Sequence, residues 1–345
     1  MMFIDHATDM FVNSVRKGEL KFPLSVLKFH DNFKPYNIEE KDIIKMKKNE
    51  DMNFLYVDGG IGEIIRIENN SLYLLRTAYV LKKENEFEIK SYDSYLIINI
   101  DDDQVNINLI EEEDIFHDLD GRYKINFSVP VFEDMIFNYY STIFMREAEK
   151  IYSMHICHNK MNDGISLDGI VMDGSLQSSG IRENTILDKI TGFVDTNKLY
   201  LIGISKTHSL RDKNKNSMHS VMNELDRAGK CPCYIYLGNV NSADYRSDVY
   251  IAKFKSTQPN SFRIDLYTHR NDIKGVMETF MNYSENIYIP GYPLQMILAD
   301  SHARVNKNEI NYLHNEFYTK IVEKRPDLID NLNNENIHDL LNLIR

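Results

Sequence analysis

The stretch IVMDGSLQ, residues 170–177, changes from apolar to polar within four residues. Its three apolar residues predict a buried strand. Asp173 follows at once, and the Gly-Ser pair after it predicts a turn. A carboxylate at the end of an apolar strand is costly to bury without a partner. Asp173 therefore either caps the turn through a backbone N–H or belongs to a functional site.

A second stretch, NFLYVDGGIGE at residues 53–63, repeats this arrangement. An apolar, β-rich run ends in Asp58, and two glycines follow. Two predicted strands thus each deliver an aspartate at their C-terminal end. If the strands are neighbours in one sheet, Asp58 and Asp173 predict a divalent-metal site for phosphoryl chemistry.

The long helix predicted at residues 132–154 offers Glu147 and Glu149 as further ligands. At about 100° per residue, Glu147 shares a face with apolar neighbours and is favoured to point toward the sheet. The alternative for Glu147 is a partly buried acid paired with Lys or Arg. The alternative for Glu149 is a solvated helix face.

A late stretch, ADSHARV at residues 299–305, supplies Asp300 and His302. Asp300 follows an apolar run and either faces inward or is an ordinary helix acid. A two-metal centre needs several carboxylates from different segments, and manganese also accepts histidine. Asp on a strand, Glu on a helix, Asp on a strand and a late Asp or His form the ligand set of ribonuclease H-like nucleases.

The charge of the chain limits how it could hold a polyanion. The 345 residues carry a formal net charge of −12 and are 43% hydrophobic, which allows one large or two small domains with a real core. An acidic chain argues against a broad nucleic-acid-binding face, but a local basic groove can lie on an acidic protein. The charge favours a partner protein that supplies part of any grip on DNA.

The cysteine count and the hydropathy predict a cytoplasmic protein outside the membrane. The odd number of cysteines, three, and the lack of a signal-peptide pattern predict a reducing compartment. The sequence contains no run of 18 apolar residues, so no membrane span is predicted. Cys231 and Cys233 form a Cys-Pro-Cys stretch. Without a second cysteine pair, metal or redox chemistry there is not the favoured interpretation.

The order of predicted elements indicates a mixed α/β sheet flanked by helices, because successive strands come first and alternating helices and strands follow. Residues 1–50 are predicted to be a helical lead-in, residues 51–306 the catalytic domain, and residues 307–345 a C-terminal helical extension.

These stretches together resemble the NurA nucleases, which act with the HerA hexameric ATPase. The resemblance runs from about residue 54 to 306 and rests on several short motifs in order. They are YVDGG, MREAE, IVMDGSL, LIGISK, VYIAKF, FRIDLY and GYPLQMILADSHARV. The most specific is IVMDGSL. The resemblance implies a ribonuclease H-like fold for residues 51–306.

The resemblance also implies roles for particular residues. Asp58 and Asp173 match metal-binding aspartates, and Tyr292 matches an active-site tyrosine. The family glutamate falls at Glu147 or Glu149, and its spacing from the preceding arginine slightly favours Glu149. Asp300 stands where histidine is frequent, which changes metal preference more than it abolishes binding.

One further departure concerns the first aspartate motif, in which Gly60 replaces the usual serine and removes a possible hydroxyl contact. Two lysines are predicted to contact DNA: Lys206, at the end of a strand, near the scissile phosphate, and Lys253 at the backbone. The alternative for each is a lysine whose stem lies along a strand edge.

The activity implied by the resemblance is that of a homodimeric nuclease dependent on Mn²⁺ (or Mg²⁺). It would cut single-stranded DNA and duplex ends, as a 5′→3′ exonuclease and single-strand endonuclease. Its place would be beside a HerA-like ATPase in end resection at double-strand breaks. The alternative is a catalytically weakened adaptor that binds a DNA translocase, because Gly60 and Asp300 depart from the family pattern.

Overall fold

A computed structural model describes residues 4, 6, 8, 22–48, 52–84, 86–101, 104–116, 119, 121–124 and 133–328. Within these residues, twelve strands form a single sheet and six α-helices accompany it. The strands are β1 (Lys34–Pro35), β2 (Ile44–Lys45), β3 (Phe54–Ile67), β4 (Asn70–Lys83), β5 (Glu86–Asp101), β6 (Gln104–Ile110), β7 (Gly121–Lys124), β8 (Gly169–Asp173), β9 (Tyr200–Ser205), β10 (Cys233–Asn241), β11 (Arg246–Lys253) and β12 (Phe262–Tyr267). The helices are α1 (Glu133–Asn162), α2 (Ile181–Asn197), α3 (Met218–Arg227), α4 (Ile273–Asn282), α5 (Leu294–Ala303) and α6 (Lys307–Lys324).

The centre of the sheet consists of parallel strands. β8 lies between β3 and β9 and is parallel to both, whereas the other pairings are antiparallel. The strand order is β1-β10-β11-β12-β9-β8-β3-β4-β5-β6-β7, and β2 also pairs with β10. Parallel neighbours need a long crossover, which α1 provides between the β3–β7 meander and β8. This arrangement confirms the predicted mixed α/β sheet flanked by helices.

The central strands are buried on both faces, and successive side chains belong to opposite cores. Leu55 and Val57 of β3 pack in the core that includes side chains of α1, α2 and α3. Phe54 and Tyr56 pack in the opposite core, with side chains of α4 and α5. Asp58 therefore continues the row of Phe54 and Tyr56, on the side of the sheet that α5 covers.

Glycines in β3 let the C-terminal helices approach the sheet closely. A Cβ at Gly60 would lie 2.1 Å from the carbonyl oxygen of Ala303, the last residue of α5. A Cβ at Gly62 would lie 2.8 Å from side-chain atoms of Val305 and Ile310. Farther along β3, the apolar face of α6 packs on Ile64, Ile65 and Leu74. The end of α5 thus takes the space that a side chain at residue 60 would need.

Residues 22–48 differ from the predicted helical lead-in, whereas Ile4, His6 and Thr8 near the N-terminus are helical. Residues 22–48 contain β1, β2 and a short 3₁₀ turn at Glu40–Asp42, with no α-helix. Pro35 cannot donate a helical hydrogen bond, and the strand β1 pairs with β10 instead. Phe33 and Ile38 are fully buried against the main core. The segment is therefore held by strand pairing and apolar burial. The division of the chain at residues 51 and 306 stays a prediction, and residues 329–345 lie outside the described part.

We expect Gly60→Ser to lower the free energy of unfolding by about 1–3 kcal/mol, because the new side chain displaces the end of α5. Urea unfolding followed by circular dichroism measures the change. The matched control is Gly192→Ser in α2, where a Cβ would meet nothing within 4 Å. A Gly60→Ser protein as stable as the parent would contradict this account of the packing.

Candidate active site

Two neighbouring strands bring their aspartates together where β8 ends. Asp58 itself lies inside β3, which continues to Ile67, so the prediction that this strand ends at Asp58 is wrong. β3 and β8 pair in register, with Val57 opposite Met172, so Asp58 and Asp173 follow side by side. Each carboxylate accepts a hydrogen bond from the next backbone N–H, at 2.9 Å from Gly59 and 3.0 Å from Gly174. These contacts leave other carboxylate oxygens available for a cation.

The helix α5 adds a third carboxylate to this pair. Oxygen atoms of Asp58, Asp173 and Asp300 all lie within 4.8 Å of one another. Arg304, one turn after Asp300 in α5, donates to its carboxylate at 2.6 Å. Three convergent carboxylates supply the hard oxygen ligands that Mg²⁺ and Mn²⁺ prefer. Among the described residues, this is the one cluster of at least three His, Cys, Asp or Glu side chains with metal-binding geometry.

Lys206 and Tyr292 hold these carboxylates in place. The ammonium group of Lys206, just after β9, donates to Asp173 at 2.9 Å and to Asp300 at 3.1 Å. The buried hydroxyl of Tyr292 donates to the other oxygen of Asp173 at 3.2 Å. Burial lowers the pKa of Lys206, but the two carboxylates outweigh it and the net shift is upward. Lys206 thus remains a cation at the centre of the site.

The structure places Glu149 beside the acid cluster and Glu147 away from it. The carboxylate of Glu149 lies against Gly59, where a Cβ would be 2.7 Å from its Oε1, so it reaches the acid cluster from the opposite face of the sheet. Glu147 is fully buried but points to α2, where its carboxylate lies 3.1 Å from Nε of Arg182. Glu147 does not line the cleft described below. Glu147 is buried, as its helix face predicts, but the buried face meets α2 and not the site, so the alternative of a buried acid paired with arginine describes it.

The acids carry more negative charge than their neighbours neutralise. Burial and the nearby Asp173 raise the pKa of Asp58 to about 7. Burial and the nearby Asp58 raise the pKa of Glu149 to about 8. Close like charges and burial both disfavour the ionised form. A divalent cation would supply the missing positive charge, so the donor set fits such an ion.

A cleft of about 1070 Å³ opens over these residues. Besides the acids and Lys206, its walls carry several cationic side chains and hydroxyl groups. They are Arg146, Lys150, Arg263, Arg304, Ser175, Ser205, Thr207 and Ser209. These four cations were not among the predicted contacts for a ligand. The signal for two of them was their helical spacing from an acid, since Arg146 and Arg304 lie three and four residues from Glu149 and Asp300. The walls thus place local positive charge on an acidic protein.

The structure places two residues, Lys253 and His302, away from the acid cluster, and the prediction that Lys253 contacts DNA is wrong. Lys253 does not face a ligand: its side chain is 1% exposed, and its ammonium group contacts Asn223 at 2.6 Å and Asp226 at 3.2 Å. A buried lysine requires such partners, and these lie on α3. His302 is exposed and does not line the cleft, so Asp300 and not His302 is the side chain of α5 that joins the acid cluster.

The matched sequence region coincides with this site. A profile of the NurA domain matches residues 52–305. The chain belongs to the NurA family of nucleases. The match begins two residues before β3 and ends at Val305, in the wall of the cleft, so it includes all four acids that converge. A comparison with functionally curated protein sequences found no match.

Solved NurA structures are similar in fold. The NurA nuclease from Sulfolobus solfataricus has a TM-score of 0.50 and 14% identity, over 82% of this chain and 89% of that chain. A NurA structure with manganese has a TM-score of 0.49 and 9% identity, over 94% and 98% of the two chains. A NurA structure bound to dAMP and manganese has a TM-score of 0.45 and 8% identity, over 79% and 89%. The family and the fold confirm the predicted ribonuclease H-like architecture. No described helix is long and apolar enough to cross a membrane.

The raised pKa values set a pH dependence for the metal-free chain. Asp58 and Glu149 have pKa values of about 7 and 8, above their ordinary 3.8 and 4.5. The folded chain therefore binds more protons than the unfolded chain between these limits, and the free energy of unfolding falls as pH rises through them. We expect Asp58→Asn to flatten this fall and to stabilise the metal-free chain at pH 8 by about 1–3 kcal/mol.

Urea unfolding at pH 5 and pH 8 with a chelator present measures this effect. Asp31→Asn, at an exposed position, is the control and should leave the pH dependence unchanged. Stability that rises from pH 5 to pH 8 without metal in the parent chain would contradict the electrostatic account.

Proposed function

We propose that the chain is a metal-dependent DNA nuclease that hydrolyses phosphodiester bonds. The observation that carries this proposal is the convergence of Asp58, Asp173 and Asp300 around the ammonium group of Lys206. Three carboxylates close together bind cations. A phosphodiester is also an anion, so it can bind next to these carboxylates only when cations lie between the two groups. Membership in the NurA family supports a nuclease in particular.

Asp58, Asp173 and Asp300 would hold the divalent ion, Mn²⁺ or Mg²⁺, with Glu149 as the nearest further acid. When bound, such an ion activates water and stabilises the oxygen that leaves the phosphorus. Tyr292 keeps Asp173 oriented through its hydroxyl, and burial holds that hydroxyl protonated, because the pKa of Tyr292 lies well above its usual value. Asp300 is an oxygen ligand where the family frequently has histidine, which favours hard ions.

Lys206 would pair with the phosphate when substrate binds. Its ammonium group now contacts two carboxylates, and a divalent ion on those carboxylates would release it toward the cleft. Arg304 is 69% exposed at the rim and can turn from Asp300 to a phosphate. Arg146 is more firmly held, because it contacts Ser179 and the buried Glu183. Lys206 and Arg304 thus pair with acids of the site and can turn to a phosphate, whereas Arg146 is held by residues outside the acid cluster.

The alternative of a weakened adaptor loses one of its reasons. Gly60 is explained by its contact with the end of α5, and the neighbouring Gly59 gives Glu149 its place beside Asp58. The departure at Gly60 therefore accommodates the fold without removing a member of the acid cluster. This supports the nuclease over the adaptor.

We expect Asp173→Asn and Glu149→Gln each to reduce Mn²⁺-dependent cleavage of end-labelled DNA by at least about 100-fold, because each removes charge from the metal centre. Glu147→Gln is the matched comparison on the same helix and should retain activity within about tenfold. Circular dichroism of each variant checks that it is folded. If Asp173→Asn cleaves DNA like the parent, the proposed centre is wrong.

We further propose a cytoplasmic homodimer that acts with a HerA-like hexameric ATPase at DNA ends. Its activities would be 5′→3′ exonuclease and single-strand endonuclease cleavage during end resection at double-strand breaks. The support is family membership and charge: the formal net charge is −12, while five lysine and arginine side chains line one cleft. A translocase that threads DNA would deliver strands to this narrow cleft without a broad basic face.

We expect ATP to accelerate degradation of duplex ends at least about tenfold when a HerA-like ATPase from the same source is present, because local concentration then replaces weak binding. The assay compares both proteins, each alone, and an ATPase variant unable to hydrolyse ATP. Sedimentation of the nuclease alone tests the dimer. A monomer whose activity ignores the ATPase would leave a stand-alone nuclease.

A further inference from the structure

Two thiols lie in contact at the start of β10, away from the acid cluster. The Sγ atoms of Cys231 and Cys233 are 3.1 Å apart. Cys233 is fully buried in the main core, whereas Cys231 is partly exposed. Neither residue lines the cleft that holds the acids. The sequence alone did not favour redox chemistry here, because there is no second cysteine pair, whereas the structure brings the two thiols into contact.

The surroundings of the pair favour a bond between the sulfurs over a metal site. No third His, Cys, Asp or Glu among the described residues joins the two thiols in metal-binding geometry. Two thiolates without further protein ligands fall short of the four ligands of a structural zinc site. The Cys231 thiol also donates to the carbonyl oxygen of Met222, at 3.8 Å. The closest reaction partner of each sulfur is thus the other sulfur.

We propose that Cys231 and Cys233 form a reversible intrachain disulfide. A disulfide joins sulfurs about 2.05 Å apart, so closure needs an approach of about 1 Å from the observed contact. Two residues of extended chain span at most about 7 Å, which is near the upper limit of the usual Cα separation in disulfides. Rotation of side chains that already touch supplies most of the required movement.

The two thiols differ in a way that orders the reaction. The hydrogen bond with Cys233 lowers the pKa of Cys231, and the same contact together with burial raises the pKa of Cys233. The partly exposed Cys231 is therefore the sulfur that meets an external oxidant. Cys233 lies behind it and resolves the intermediate. The carboxylate of Asp226 and the ammonium group of Lys253, which pair with each other, act on the pKa of Cys231 in opposite directions.

The oxidant is a low-molecular-weight disulfide, for which glutathione disulfide is the probe. The Cys231 thiolate attacks one sulfur of the probe, and one glutathione thiolate leaves and takes up a proton. Cys233 then loses its proton and attacks Sγ of Cys231, and the second glutathione leaves as a thiol. The two protein thiols are oxidised, and one probe molecule is reduced to two thiols. The protein loses two hydrogen atoms.

The disulfide would restrict the chain at a point where three strands, β2, β10 and β11, meet. Cys233 pairs with Lys45 of β2 on one side and with Lys253 of β11 on the other. The carbonyl oxygen of Cys231 accepts a hydrogen bond from Ser256 at 2.7 Å, and that of Pro232 accepts one from Met46 at 3.1 Å. The disulfide therefore fixes the turn at which the N-terminal segment meets the sheet.

The experiment incubates the folded full-length chain with glutathione disulfide, alkylates free thiols after denaturation and measures intact mass. The expected product has one alkylated cysteine, Cys157, which is fully buried and whose pKa burial raises to about 12. We expect Cys157→Ser to close the same bond and to retain no alkylated cysteine. Cys233→Ser should stop at a glutathione adduct on Cys231, and Cys231→Ser should remain reduced over the same time.

Two results would overturn the proposal. One is a parent chain that keeps three alkylated cysteines under conditions in which Cys233→Ser acquires the adduct. The other is a parent chain that accumulates the stable adduct without closure. Circular dichroism of each variant separates loss of folding from loss of reactivity. The outcome is independent of the nuclease assay, because the thiols lie outside the cleft.

Discussion

The active site depends on the parallel pairing of β3 with β8. This pairing puts two aspartates side by side where β8 ends, and their like charges repel. The repulsion is tolerable only where cations and hydrogen-bond donors gather, and Lys206, Tyr292 and two backbone amides fill that need. Burial leaves part of the repulsion uncompensated, as the raised pKa of Asp58 indicates. A site in this condition stabilises a divalent cation, because binding relieves the repulsion between its ligands.

Missing side chains are as important to the site as the acids. Gly59 leaves room for Glu149 to reach the cluster from α1, and Gly60 leaves room for the end of α5, which carries Asp300. Two consecutive strand residues face opposite sides of a sheet. The pair Gly59-Gly60 therefore opens both faces of β3 at once, and a helix delivers one acid on each side. In the local sequence Asp-Gly-Gly, the aspartate therefore supplies a candidate ligand and the two glycines allow the helices to pack closely.

The charges of the cleft and the charge of the whole chain have opposite consequences for binding DNA. The acids draw the cations of the cleft into ion pairs, of which Lys206 with Asp173 and Arg304 with Asp300 are the closest to the centre. A metal ion that takes over the carboxylates would free these cations for phosphates. The protein as a whole is acidic, so long-range attraction of DNA is weak and delivery by a partner becomes valuable.

The sequence by itself determined the mixed sheet, and it singled out Asp58, Asp173 and Asp300, because apolar periodicity is a local property. It misjudged where β3 ends: Asp58 lies inside that strand, which continues to Ile67. It did not decide between Glu147 and Glu149, since two residues on one helix can both be buried against different neighbours. It misplaced Lys253, because only the packing of α3 reveals its buried partner Asp226. It also predicted helix for the segment that pairs with β10 as strands. Tertiary structure decided these points, because the direction of a side chain depends on contacts between residues far apart in the chain.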